Sequence, residues 1–128
     1  MNLSTYSEHR IRRTMNYWYV VKDYADPLYN YLVHGFNPGS FFTAVLANDF
    51  NAAIRHSHPS NTINALKDMA GWINNHMPRS IWGSYDAVTY WTELSAAERR
   101  AVLEKEKMIF TEKEETWMAL KGKKAETV

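Results

Sequence analysis

The stretch FFTAVLANDFNAAIRHSHPSNTINALKDMAGWINNHMP, Phe41 to Pro78, decides the fold. Its first part repeats apolar side chains at helical spacing: Phe42, Leu46, Phe50, Ala53 and Ile54 share one face of a helical wheel. Pro59 stops that helix near His56. Ser60 or Asn61 then caps a second helix to about His76, with Ile63, Leu66, Met69, Ala70, Ile73 and Met77 as its apolar stripe. Two helices of similar length joined by a short turn predict an antiparallel hairpin. The expected architecture is therefore all-α: a small helical domain built around the hairpin 41–56 and 61–76, with shorter helices flanking it.

Working outward, Asp26-Pro27 reads as an N-cap followed by proline at the first helical position. That predicts a short helix from Pro27 to His34, ended by Gly35. Asn37-Pro38-Gly39 is a turn, and Ser40 is a natural cap for the helix at 41. Downstream, Trp82-Gly83-Ser84 is a turn and cap for a helix from Tyr85 to about Thr92. Ser95 with Glu98, and Thr111 with Glu114, have the spacing of capping boxes, so each opens a helix. Residues 8–24 are ambiguous. Met15, Trp18 and Val21 or Lys22 would line a helix, whereas the run from Tyr17 to Val21 favours a strand. The reading is an N-terminal extension at 1–24, helix or edge strand, a helical domain at 25–120, and a disordered tail at 121–128.

Composition bounds the function. The chain has 128 residues, the size of one domain, and 45% of them are apolar. It has no cysteine, which excludes disulfides and thiolate metal sites. Fifteen basic and 14 acidic residues leave a formal net charge of +1, too little for a global field that gathers nucleic acid or anionic membrane. No apolar run approaches the ~20 residues of a membrane span, and the first 13 residues lack the apolar segment of a secretory signal. A cytoplasmic location is expected. Aromatic residues make up 14% of the chain, a surplus that serves either the core or a partner surface.

Several constellations bear on chemistry. Arg12 and Arg13 belong to a short basic run, with Tyr17, Trp18 and Tyr19 close behind. Basic and aromatic side chains in that order grip single-stranded nucleic acid or a nucleotide, although a solvated helix face has the same composition. Gly35, Gly39 and Ser40 precede a helix start and offer backbone donors to an anion, but without the spacing of a phosphate loop. Asp49 falls inside the apolar stripe, where a carboxylate needs a partner or a ligand. His56 and His58 with Asp49, or with His34 and His76, lack a fixed third ligand for zinc, and histidines beside a helix C-terminus are favoured by the dipole alone. No nucleophile elbow, HExxH or kinase signature is present. No cofactor, metal or catalytic residue is expected.

The blocks Tyr31-Leu-Val-His-Gly35, Pro38 through Phe50, Trp82-Gly83-Ser84 and Trp91, in that order, resemble a group of small bacteriophage-encoded helical proteins. The likeness covers about residues 28–92. It implies a phage origin and a helical core, with no catalytic residues to carry over. Small non-structural phage proteins often act on host machinery or defence components. The resemblance therefore implies a non-enzymatic binding protein that neutralises or redirects a host factor, as a homo-oligomer in the host cytoplasm. Alternatives are a pocket for a nucleotide or other small anion, and nucleic-acid binding through the N-terminal basic and aromatic segment. The residues expected to contact a ligand or partner are Arg12, Arg13, Tyr17, Trp18, Tyr19, His34, Gly35, Gly39, Ser40 and Asp49.

Overall fold

The computed structural model describes the backbone of residues 1–126 and the side chains of residues 1–121. Every regular element among them is helical: α1 (Thr5–Tyr17), α2 (Lys22–His34), α3 (Ser40–Leu46), α4 (Phe50–His56), α5 (Ile63–His76), a 3-10 turn (Arg79–Ile81), α6 (Tyr85–Glu93), α7 (Ala96–Lys105) and α8 (Glu112–Glu126). The all-α expectation holds. The long helix expected at 41–56 does not: it is two helices, α3 and α4.

The centre of the molecule is α2. Leu28, Tyr31, Leu32 and Val33 are fully buried there, ringed by Ile11 and Met15 of α1, Met69 and Trp72 of α5, Trp91 of α6 and Leu103 of α7. Polar ends inside this core are satisfied. The Tyr31 hydroxyl donates to the Ile81 carbonyl at 2.6 Å, and the Trp91 indole donates to the Tyr31 carbonyl at 2.9 Å. Buried donors left without such partners would each cost roughly 1–3 kcal/mol.

Helix ends explain where the sequence reading and the structure part. Three helices stop at a non-glycine residue with left-handed backbone: Tyr19 (φ 58°), Asn48 (φ 61°) and Lys107 (φ 58°). Each makes the paired bonds of a Schellman motif; at Asn48 they are Asn48 N–H to the Val45 carbonyl and Asp49 N–H to that of Ala44. Asp49 then caps the next helix, its side chain accepting from the Ala52 N–H at 3.1 Å. Asparagine tolerates this backbone better than most residues, which is why 41–56 breaks there. At α2, Pro27 lies inside the helix and not at its start, because Tyr24 and Ala25 are buried and hold an earlier turn. The cost is an intrahelical bond to the Asp23 carbonyl that proline cannot make. The expected caps shift by a residue or two: Gly39 (φ 89°) precedes α3, with Ser40 its first residue, and Thr62 caps α5. Ser84, Ser95 with Glu98, and Thr111 with Glu114 cap as expected.

Residues 1–24 are no extension. They form α1, the turn after it and the first residues of α2, with no strand, and Ile11 and Met15 are 1% exposed in the main core. The disordered tail expected at 121–128 is helical backbone through Glu126, and residues 127 and 128 lie outside the described residues. α8 is clasped to α1 by buried Ser7, whose hydroxyl donates to Glu115 at 2.6 Å and accepts from the Phe110 N–H at 3.0 Å.

Candidate functional site

The short pair α3–α4 carries the most unusual surface. Its own core is small: Ala44, Ala52 and Ala53, with Val45 against them. Alanines let the two helices approach closely but bury little apolar area. The pair is pinned to the start of α6 by two bonds. The Gly83 N–H donates to the Leu46 carbonyl at 2.6 Å, and the Tyr85 hydroxyl donates to Asp49 at 2.7 Å. The Tyr85 bond, then the Ala52 N–H, hold the Asp49 carboxyl below the usual range, and the same bond raises the Tyr85 phenol. Asp49 is thus not a carboxylate stranded in an apolar stripe. It stands at a helix break with both oxygens engaged.

Between α3–α4 and α5 runs an apolar groove of about 520 Å³, lined by Phe41, Val45, Phe50, Ala53 and Ile54 on one side and Ile63, Leu66, Met69, Ala70 and Ile73 on the other, with Trp82 also contributing. Phe50 is 78% exposed, Ile63 76% and Ile54 52%. These side chains belong to the two stripes expected to pack together in the hairpin. They face one another across a gap instead. Large apolar side chains left exposed along one contiguous groove mark a binding surface more often than a chance of composition.

On a different face of α3–α4 lies a polar cavity of about 370 Å³, lined by Asn37, Gly39, Ser40, Thr43, Ala44, Ala52, Arg55, His56 and Tyr85. Gly39 and Ser40, both expected to bind, are here, and Tyr85, which shares this lining, donates to Asp49. The other expected residues are elsewhere. His34 and Gly35 end α2 against Arg99 of α7, where a Cβ at Gly35 would meet the Arg99 guanidinium at 2.6 Å. His34 stacks on Phe36, and burial, then the N-terminal ammonium, then Arg99, lower its pKa. Arg99 is buried beside the Leu94 carbonyl, with its Nε unpartnered. Among the described residues no group of three or more His, Asp or Glu side chains is placed to hold a metal ion. No described helix is long and apolar enough to cross a membrane.

The N-terminal basic and aromatic segment is divided. Arg12 pairs with Asp26 at 2.8 Å and lies over the Tyr29 ring, so it serves the α1–α2 junction. Trp18 is half-buried against Gly71, where a Cβ would meet its ring at 2.8 Å. Only Arg13, Tyr17 and Tyr19 project freely, the two tyrosines 76% and 78% exposed. Gly71→Ala should therefore destabilise by roughly 1–3 kcal/mol through overpacking, although alanine is the better helix former. Urea denaturation measures it.

The Trp18 indole donates to His76 Nε2 at 2.8 Å. An indole only donates, so Nε2 carries a lone pair and His76 is neutral. Burial lowers its pKa from 6.5. The unfolded chain then binds the proton more readily than the folded one. This contribution to stability is complete above pH 6.5 and is lost as pH falls through the lowered folded value. The thermal midpoint is expected to drop on acidification below pH 6.5, and to drop less in His76→Gln.

Comparison of the chain with protein-family models, with curated proteins and with solved structures gives no match. The surfaces themselves carry the functional reading. Sequence reasoning missed Tyr85 and Arg55 and assigned Phe50, Ile54 and Ile63 to the core. The available signal was Asn48-Asp49, a polar pair interrupting an apolar helix.

Proposed function

We propose that this protein is a non-enzymatic binding module whose apolar groove between α3–α4 and α5 receives an amphipathic segment of a partner protein. The observation that carries the reading is the exposure of Phe50, Ile54 and Ile63 along one groove. An apolar helix face laid in such a groove would bury three anchors spaced along its walls. Lys67 is the one cation in the lining and Asp49 is already engaged, so an acidic residue beside the partner's apolar face is favoured. The resemblance to small phage proteins makes a host factor the natural partner and the host cytoplasm the place. Binding would neutralise or redirect that factor. Self-association is proposed with it, through the exposed Trp117 and Leu120, one turn apart on α8.

The test is affinity capture from host lysate with the wild-type chain and with Ile63→Asp, both checked for folding. A protein retained by the wild type and lost from the variant supports the reading. Retention that ignores the substitution, or no retained protein, removes it. Nucleic-acid binding is less favoured, because Arg12 and Trp18 are committed to the fold.

A further inference from the structure

We propose that the polar cavity beside Tyr85 binds a small phosphate monoester of nucleotide size. This site is separate from the groove and stands or falls on its own.

The donor set is the first argument. Arg55 has no ion-pair partner among the described residues. Its guanidinium offers a fork that matches phosphate oxygens in pairs. Ser40 and Thr43 add hydroxyls from α3. The Asn37 side-chain oxygen already accepts from the Gly39 N–H at 2.9 Å, which leaves its amide NH₂ to donate. The cavity therefore presents donors to whatever enters it. Asp49 is the carboxylate near Arg55, and it is otherwise engaged: one oxygen accepts from Ala52 and the other from Tyr85. Both donors are neutral, so Asp49 keeps its charge and its attraction for Arg55, but it makes no direct ion pair with it, and the guanidinium N–H groups stay available to an entering phosphate.

The second argument is size. About 370 Å³ is at the lower end of small-molecule sites and far more than a bare phosphate fills. Tyr85 supplies a wall suited to the organic part. Its hydroxyl is committed to Asp49, and the residue is 48% exposed, so its ring offers a flat surface on which a base can stack. Helix-end electrostatics favour Arg55 and His56 in the last turn of α4. They do not account for an amide, two hydroxyls and an aromatic ring gathered at the same cavity from the 37–39 turn, α3 and α6.

The experiment is calorimetric titration at low salt with adenosine monophosphate, inorganic phosphate and adenosine as probes. The wild type, Arg55→Gln and a control, Lys105→Gln at the exposed end of α7, are compared, each with its circular dichroism spectrum. The expected result is that adenosine monophosphate binds more tightly than either fragment. Arg55→Gln should weaken it by about 10- to 100-fold, the usual effect of losing a charged hydrogen-bonding partner, and Lys105→Gln should leave it unchanged. Three results would overturn the proposal: no binding at millimolar concentration, equal binding of inorganic phosphate or of adenosine, or equal loss in Arg55→Gln and Lys105→Gln. If Arg55→Gln fails to fold, Thr43→Val is used in its place, with the same expectation of weakened monophosphate binding.

Discussion

Replacing Trp91 by alanine is expected to destabilise the protein by about 3–5 kcal/mol, enough to bring a typical domain of this size to the edge of unfolding. Trp91 is fully buried and sits where α6 meets the central helix. Its truncation opens a cavity the size of an indole beside Tyr31. It also removes the indole donor to the Tyr31 carbonyl at 2.9 Å, which leaves that oxygen with the Gly35 N–H alone. Tyr31 is itself tied to the Ile81 carbonyl, so the damage extends towards the 3-10 turn and Trp82. Trp91→Phe separates the two effects. It keeps most of the volume and loses the hydrogen bond, and should fall between the wild type and Trp91→Ala. Urea denaturation monitored by circular dichroism gives all three values. A loss below about 1 kcal/mol for Trp91→Ala would show that α2 and α6 do not share a core as described.

The second large effect is on binding and not on stability. Phe50→Asp and Ile63→Asp replace side chains that are 78% and 76% exposed. Surface substitutions of this kind change folding stability by roughly ±0.5 kcal/mol. If both residues anchor a partner, each should lower its affinity by about 30-fold or more, the behaviour of an interface hot spot of 2 kcal/mol. The contrast matters more than either number. A core residue loses stability and binding together, whereas a docking residue loses binding alone. Thermal denaturation and partner titration on the same preparations supply both readings.

How much of this was legible in the sequence depends on the range of the interaction concerned. Local chemistry was legible. Ser95 with Glu98 and Thr111 with Glu114 close boxes within four residues, and Gly35 adopts the left-handed backbone that a helix end asks for. The break at Asn48-Asp49 was visible only as an oddity, because the apolar period runs through it from Phe42 to Ile54 as if the helix continued. Tyr19 and Lys107 end helices with left-handed backbone that neither residue type signals. Asp49 was recognisably unusual, but its partner Tyr85 is 36 residues away, beyond any local pattern. The groove was hidden for a related reason. An apolar stripe says that a face wants covering, not whether its own chain covers it. Phe50 and Ile54 of α4 and Ile63 of α5 look like parts of one core in sequence and line an open groove in space, while Met69, Ile73 and Met77 of the same α5 stripe are buried in the main core.

The most direct test of the groove as a docking surface is photo-cross-linking from within it. A photoreactive phenylalanine analogue at position 63, on the exposed side of the groove, is compared in cells producing the protein with the same analogue at Thr89, which is exposed on α6 outside both cavities. Mass spectrometry then identifies the adducts. A discrete heteromeric adduct from position 63, absent from position 89, is the outcome expected here. Adducts shared by both positions, none at all, or only a second copy of this chain from position 63 would contradict it.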